Sequence, residues 1–262
     1  MKLHYEESVG SEDLFLPIVC LHAFPVYSHM YWQQVEHLSD QHRILALNFR
    51  GYGASAGSFS PDSFNVTQFA LDARDTLREI DIPRAVFVGC SMGGYVLFEL
   101  WRREPELIAG MVLADTKAEA DTEQERAGRY ERIEKIKAEG TAGLPDSTAG
   151  MLSDKTRSER GQVEVMVRDW ATQPTAETIT STLDMLAKRP DSIATLATIN
   201  VPTLVLVGEN DKVTPLANAQ TIHEGIVGST LQVIPGAGHL SPLERPEETN
   251  DAIRHFLKEH NL

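Results

Sequence analysis

Three polar side chains, each placed after an apolar run of the chain, could together perform nucleophilic catalysis. Ser91 lies in GCSMGG directly after AVFVG, Asp211 lies in ENDKVTP after TLVLVG, and His239 lies in PGAGHL after LQVI. A serine hydroxyl becomes a nucleophile near neutral pH only when an oriented base takes its proton. We expect His239 to be that base, and Asp211 to accept the other imidazole N–H and stabilise the imidazolium.

Glycines flank the serine in the pattern G-x-S-x-G, which Gly89, Ser91 and Gly93 form. The run before the serine predicts a strand, and YVLFELWRRE after it predicts a helix that stops before Pro105. A turn this tight strains its central residue and leaves no room for side chains beside it. It raises the Ser91 hydroxyl above the carboxyl edge of a sheet, where a helix N-terminus favours developing negative charge.

A tetrahedral intermediate needs two hydrogen-bond donors, and the sequence predicts both as backbone N–H groups. One is that of Met92, just after the nucleophile, and the other comes from the loop HAFP. Phe24 is predicted for the second, because Pro25 has no N–H. His22 in the same loop is expected either to line the floor of the site, binding substrate, or to make a structural hydrogen bond to the loop.

The chain offers competing residue assignments for the acid and the base. Asp115 ends the run MVLAD and could also reach a histidine, although Asp211 fits the turn after its strand better. The alternative role for Asp115 is to cap the start of the segment that follows. Other histidines are expected on the surface or in the core, namely His4, His37, His42, His223, His255 and His260.

The elements that must position these residues follow from hydrophobic patterning. Helices are predicted over 65–80, where apolar residues recur every three or four positions, and from Pro246 onward. Continuously apolar runs predict parallel strands covered on both faces. These runs are Leu16–Leu21, Arg43–Leu47, Ala85–Gly89, Ile108–Ala114, Thr203–Gly208 and Leu231–Ile234.

One long segment interrupts the alternation of strands and helices. Residues 117–190 contain no convincing strand but several helical patterns, so we expect a helical cap inserted into a core formed by 1–116 and 191–262. The charged run Glu123–Glu139 is expected to be a solvated helix face.

Composition and net charge limit the classes of partner that the protein can bind. The chain has 262 residues, 24 Lys+Arg and 38 Asp+Glu, for a formal net charge of −14, which argues against nucleic-acid and anionic-membrane partners. The stretch MKLHYEESVGSEDLF lacks the apolar run of a secretory signal, so a cytoplasmic location is expected. Cys20 and Cys90 are too few for a disulfide framework or a thiolate metal site, and we expect them to act as small hydrophobes. We expect no metal and no cofactor, and the oligomeric state is left open.

Taken together, LHAFP, RGYGAS, GCSMGG, PTLVLVGENDKVTP and PGAGHLSPLERPEE resemble the α/β-hydrolase fold family across essentially the whole chain. The resemblance implies a mostly parallel sheet covered by helices on both faces, with a helical cap inserted after the sixth strand. GHLSPLERPEE and VLADT are most similar to 3-oxoadipate enol-lactonase-like esterases, and SMGG and HAFP to cofactor-free haloperoxidases, which are esterases with perhydrolase side activity. Ala23 and Asn48 depart from the family, standing where glycine and aspartate are common.

The resulting prediction is a serine hydrolase that cleaves a small carboxylic ester or lactone through an acyl-enzyme. Trp170 is the cap residue predicted to bind substrate. Other apolar cap residues could also face the pocket, although such stripes are more often core: Met151, Met166, Met185 and Leu186. Hydrolysis of a carbon–carbon bond, perhydrolysis, amide cleavage and a non-catalytic ligand receptor remain as alternatives.

Overall fold

The computed structural model describes residues 1–8, 15–57 and 59–262. Seven strands form one sheet among these residues: β1 (Tyr5–Ser8), β2 (Ile18–Leu21), β3 (Ile44–Leu47), β4 (Ala85–Cys90), β5 (Ile108–Ala114), β6 (Thr203–Gly208) and β7 (Thr230–Ile234). Their order across the sheet is β1-β3-β2-β4-β5-β6-β7. Every neighbouring pair is parallel except β1 with β3, so the carboxyl ends of β2 to β7 lie at one edge.

Helices connect these strands and cover both faces of the sheet. Those outside 117–190 are α1 (Trp32–His37), α2 (Val66–Glu79), α3 (Met92–Arg103), α9 (Ile193–Leu196), α10 (Leu216–Gly225), α11 (Ser241–Glu244) and α12 (Pro246–His260). Those inside it are α4 (Glu123–Glu139), α5 (Leu144–Ala149), α6 (Asp154–Glu159), α7 (Gly161–Trp170) and α8 (Ala176–Lys188).

Alternate residues of the central strands enter two different hydrophobic clusters, one on each face of the sheet. In β2, for example, Val19 and Leu21 join one cluster, whereas Ile18 and Cys20 join the other. Side chains on a strand alternate between faces, so burial of both sets requires helices on both sides. The predicted fold, a mostly parallel sheet covered on both faces, is therefore confirmed.

The two helices predicted outside the insertion are also present. Asn65 precedes α2, and its side chain accepts a hydrogen bond from the Gln68 N–H at 2.8 Å, which caps the helix. Helix α12 begins at Pro246, as predicted, and its buried residues include Ala252, Ile253, Phe256 and Leu257.

Three features of the sheet differ from the sequence-based expectation. The structure describes five strands before the insertion, one fewer than the six that the resemblance implied. Strand β1 was not predicted, because YEES carries no apolar run and is only half-buried. Strand β7 was expected to be covered on both faces, but it lies at the edge of the described sheet and buries only Ile234.

Residues 117–190 are helical throughout their regular elements and contain no strand. Thr122 and Glu125 form a reciprocal capping box at the start of α4. Most of α4 is exposed, and its two buried residues are Ile133 and Ile136, as the charged run predicts. The two ends of this segment are joined, because Asp121 near its start accepts a hydrogen bond from Arg189 near its end at 2.6 Å.

Within the described ranges, no helix combines the length and the apolar character needed to cross a bilayer. Residues 9–14, which form part of the stretch used to predict a cytoplasmic location, lie outside the described residues.

Candidate active site

The structure brings Ser91, Asp211 and His239 together at the carboxyl edge of the sheet. The Ser91 Oγ and His239 Nε2 atoms lie 2.9 Å apart, and His239 Nδ1 lies 2.8 Å from Asp211 Oδ2. The three residues follow β4, β6 and β7 and are 8%, 5% and 1% exposed. This is a hydrogen-bonded chain from a serine hydroxyl through an imidazole to a carboxylate, shielded from most solvent.

Ser91 occupies a strained turn between β4 and α3. Its φ is 51° and its ψ is −111°, a combination that L-residues rarely adopt. A Cβ at Gly93 would overlap the carbonyl oxygen of Leu21, and one at Gly89 would lie 2.7 Å from the carbonyl oxygen of Gly93. The turn is held by Thr116, whose hydroxyl donates to the Ser91 carbonyl at 2.8 Å. The glycines are therefore required by close backbone packing, as predicted.

The carboxylate of Asp211 is oriented by its own loop. Oδ1 accepts from the N–H groups of Val213 and Thr214 at 2.7 and 2.9 Å, and Oδ2 accepts from the Thr214 hydroxyl at 2.7 Å. Thr214 also lies 3.2 Å from His239 Nδ1. Thr214 was not predicted from the sequence, although an aspartate side chain that bonds to the backbone a few residues later is a common turn pattern.

For His239 and for Asp211, burial and the interaction between the two residues shift the pKa in opposite directions. Burial by itself would lower the pKa of His239, but the charge and the hydrogen bond of Asp211 outweigh it and raise that pKa above its ordinary value. Burial would raise the pKa of Asp211, yet the interaction with His239 and the hydrogen bonds from Thr214 lower it overall. The arrangement favours an ionised carboxylate beside an imidazole that readily accepts a proton.

The two backbone donors predicted for an oxyanion lie in suitable elements. Met92 is the first residue of α3, and Phe24 lies in the loop after β2. Within the described parts of the chain, neither N–H donates a hydrogen bond to a protein acceptor. The N–H of the neighbouring Ala23, in contrast, points to the sulfur of Met30 at 3.3 Å.

His22 is fully buried and bonded on both ring nitrogens to the backbone. Nδ1 lies 2.9 Å from the Ala23 carbonyl oxygen, and Nε2 accepts from the Phe49 N–H at 3.1 Å. Burial lowers the pKa of His22 to about 4, so the ring is neutral. Of the two roles expected for His22, the geometry favours the structural hydrogen bond over contact with substrate.

Trp170, at the end of α7, packs on the loop after β2. Its ring centroid lies 5.6 Å from that of Tyr27 and 5.7 Å from that of His29, both in edge-on geometry, and the residue is 4% exposed. Among the other predicted cap residues, Met185 and Leu186 belong to the core, whereas Met151 and Met166 are partly buried.

Asp115 does not cap the insertion, since Thr122 caps α4. Its Oδ1 instead accepts from the Gly208 N–H at 2.8 Å, and its Oδ2 accepts from the Ser241 N–H at 2.7 Å. Burial, together with the charge of Asp211, raises the pKa of Asp115 to about 7. Asp115 thus connects the end of β5 to the loops that carry Asp211 and His239.

Both cysteines are buried, as expected for small hydrophobes. Burial, reinforced by the negative charge of Asp115, raises the pKa of the Cys90 thiol well above its ordinary value, so the thiol stays protonated. Among the residues that the structure describes, no group of three or more His, Cys, Asp or Glu side chains is arranged to hold a metal ion.

Comparison with known proteins places this geometry in context. The sequence model of the alpha/beta hydrolase fold family matches residues 17–246 of this chain. 3-Oxoadipate enol-lactonase 2 of Acinetobacter baylyi is 32% identical over 235 residues, which cover 88% of this chain and 85% of that protein. A thermophilic esterase from Thermogutta terrifontis superposes with a TM-score of 0.92 at 29% identity, over 99% of this chain and 94% of that one. The enol-lactonase from Burkholderia xenovorans LB400 gives 0.89 at 25% identity, over 98% and 96%.

Proposed function

The chain belongs to the alpha/beta hydrolase fold family, and from this premise we propose that it hydrolyses a carboxylic ester or lactone through an acyl-enzyme on Ser91. The observation that carries the proposal is the hydrogen-bonded series from Ser91 Oγ through His239 to Asp211, at 2.9 and 2.8 Å. A serine, a neutral imidazole and an oriented carboxylate in this order are the groups that acyl transfer requires.

In the first half of the reaction, His239 Nε2 takes the hydroxyl proton while Ser91 Oγ attacks the carbonyl carbon. The carbonyl electron pair moves onto oxygen, and the N–H groups of Phe24 and Met92 stabilise the resulting oxyanion. When the intermediate collapses, the bond to the leaving oxygen breaks and His239 returns the proton to that oxygen. An ester releases an alcohol, whereas a lactone keeps its new hydroxyl attached to the acyl group.

In the second half, water replaces the leaving group. His239 removes a proton from water, the hydroxide attacks the acyl carbon, and the acid leaves as Ser91 regains its proton. Asp211 keeps the imidazole in the required orientation and stabilises its protonated form, and Thr214 holds Asp211. The assignment of Phe24 and Met92 is supported by their lack of a protein acceptor among the described residues.

We assign residues 117–190 as a cap on a core formed by 1–116 and 191–262. Trp170 is the cap residue that we propose to contact substrate, because it packs on the loop that carries Phe24. His22 stabilises that loop through its ring contacts with the Ala23 carbonyl and the Phe49 N–H. The cytoplasmic location stays a prediction.

The relatives support the substrate class but not one substrate. Two of them are named as enol-lactonases and one as an esterase, and these names describe those proteins. We therefore propose a small ester or lactone, and keep carbon–carbon bond cleavage and a non-catalytic ligand receptor as outcomes of the test.

The test compares the wild-type protein with Ser91→Ala on short and medium nitrophenyl esters, several lactones and a dienoic ketone. We expect ester or lactone turnover that falls by at least about 1,000-fold in the variant, because the nucleophile is lost. Ser158→Ala, an exposed serine on α6, is the matched control and should keep the wild-type rate. Ester turnover that survives in a folded Ser91→Ala protein would refute the assignment, and tight ligand binding without turnover would favour a receptor.

A further inference from the structure

The loop that carries His239 is held by three consecutive backbone N–H groups, each bonded to a different part of the chain. The His239 N–H donates to the Met151 carbonyl at 3.0 Å, the Leu240 N–H to Glu244 Oε1 at 3.1 Å, and the Ser241 N–H to Asp115 Oδ2 at 2.7 Å. Met151 belongs to the helical insertion, so one of the three contacts comes from outside the core.

Glu244 links the same loop to the insertion a second time. Its Oε2 accepts from the Ser153 N–H at 2.9 Å and from the Thr156 hydroxyl at 2.7 Å, while Oε1 remains bonded to the Leu240 N–H. Glu244 and Thr156 are both 0% exposed. A single buried carboxylate therefore accepts three hydrogen bonds, two of them from the segment 151–156, which we call the docking segment.

Further contacts strengthen this junction. The Ser153 hydroxyl donates to the Gly236 carbonyl at 2.7 Å, and Arg160, just after α6, donates to the Glu244 carbonyl at 2.7 Å. Arg245 donates to the same carbonyl at 2.9 Å. The docking segment thus contacts the loop that carries His239 at Gly236, at His239 itself and at Glu244.

We propose that Glu244 is a positioning residue that couples the docking segment to the His239 loop, so that docking of this part of the insertion sets the position of the base. The inference rests on the proposed function, because it takes His239 as the base. Glu244 itself does not touch the reacting atoms, and its effect is exerted through Leu240 and the docking segment.

The reason that such coupling affects turnover is geometric. Buried hydrogen-bond donors that lose their acceptor relax toward other partners. Here the donors are Ser153 and Thr156 in the docking segment and Leu240, the residue after His239. A displacement of about 1 Å in a reacting group can cost roughly 100-fold in rate.

The test uses Glu244→Gln, which keeps the side-chain length. The three donors that share two carboxylate oxygens in the wild type then face one acceptor oxygen and an NH₂ group. We expect kcat on the best ester to fall by about tenfold to 100-fold, with KM changed by less than about threefold. Glu248→Gln, an exposed glutamate four residues later, is the matched control and should leave both constants unchanged.

A second variant tests the junction from the insertion. Thr156→Val removes the hydroxyl donor but leaves the bond from Leu240 to Glu244 in place. We expect a smaller fall in kcat than for Glu244→Gln, and a double variant no slower than Glu244→Gln alone, because both changes act through one contact. If Glu244→Gln does not fold, Thr156→Val with the control decides the question.

Amide hydrogen exchange provides a readout that is independent of activity. In Thr156→Val, which removes a contact in the docking segment but none to 239–241, we expect faster exchange in both 151–156 and 239–241, whereas a merely local role would change 151–156 only. Wild-type kcat in a folded Glu244→Gln protein, or loosening confined to one segment, would overturn the proposal. If Ser91-dependent hydrolysis is absent, the proposed function fails, and the exchange data still decide whether the two segments are coupled.

Discussion

Three carboxylates act on the imidazole of His239, and their charges oppose the effect of burial on its pKa. Burial lowers the pKa, whereas Asp211 in direct contact, and Asp115 and Glu244 at longer range, raise it. The net shift is upward. Since the base must be neutral to accept a proton, hydrolysis should rise with pH through a midpoint above the ordinary histidine pKa of about 6.5.

Replacing Asp115 by Asn should move this midpoint to lower pH. The substitution removes a buried carboxyl that, with its pKa of about 7, is ionised in the upper part of this pH range and there stabilises the imidazolium, so His239 loses its proton at lower pH. The measurement is kcat/KM on one ester between about pH 5 and pH 9. The plateau should also fall, because Asn offers one acceptor oxygen to the two N–H groups that Asp115 binds. Asp251→Asn, on the exposed face of α12, should leave the midpoint in place, and an unmoved midpoint in Asp115→Asn would contradict the electrostatic account.

Residues of the site that follow apolar runs could be predicted from sequence, and residues in irregular loops could not. Ser91, Asp211 and His239 each follow a strand-like run, so parallel topology alone places them at one edge. Glu244 carries no such signal, because a glutamate in LSPLERPEE has the same appearance whether it is buried or exposed. Its role depends on packing against Thr156, which is 88 residues away in the chain.

At the scale of the elements, the contact between α3 and β2 determines why the serine turn needs glycine. The first turn of α3 approaches the carbonyl of Leu21 so closely that a Cβ on Gly93 has no space. In α4, by contrast, a Cβ on Gly128 meets nothing within 4 Å. The same substitution should therefore have opposite effects in the two helices.

Gly93→Ala should lower the free energy of unfolding by about 2 kcal/mol or more, because the added methyl forces the helix away from the sheet. Gly128→Ala should raise it by about 0.5–1 kcal/mol through helix propensity and lower entropy of the unfolded chain. Denaturant unfolding of both variants beside the wild type provides the measurement. Equal stabilities would show that α3 does not pack on β2 as described.

The ends of strands with a strong apolar pattern were predicted to within two residues. Strands without that pattern were missed, or their burial was predicted wrongly. Strands β5 and β6 have the predicted bounds, because each is central and buried on both faces. Strand β1 consists of polar residues that pair at the edge of the sheet, which a hydrophobic pattern does not reveal. The mostly apolar sequence of strand β7 predicts a strand covered on both faces, yet no further described strand lies beyond it.

For the whole molecule, folding stability depends on a histidine that must stay neutral when buried. That residue is His22, since burial lowers its pKa to about 4 and the backbone occupies both ring nitrogens. The unfolded chain takes up a proton near pH 6.5, whereas the folded chain does so only near pH 4. The stability is therefore fully present above about pH 6.5 and is lost as the pH falls toward 4.

His22→Gln should remove this part of the acid sensitivity. Between about pH 7 and pH 5 the wild-type protein should lose about 2 kcal/mol more unfolding free energy than the variant, because Gln does not titrate. The variant is expected to be less stable at neutral pH, so the comparison uses the change with pH in each protein. Denaturant unfolding at both pH values gives this change, and parallel losses would contradict the assignment of a neutral, buried His22.

The central claim is that Ser91 becomes acylated during turnover, and trapping that intermediate tests it most directly. The protein is mixed with excess nitrophenyl ester, quenched in acid during turnover, digested and analysed by mass spectrometry. We predict one acyl group per chain, on the peptide that contains Ser91, and none in Ser91→Ala. An acyl group on another residue, or turnover with no trapped acyl group and no initial burst of nitrophenol, would contradict the account.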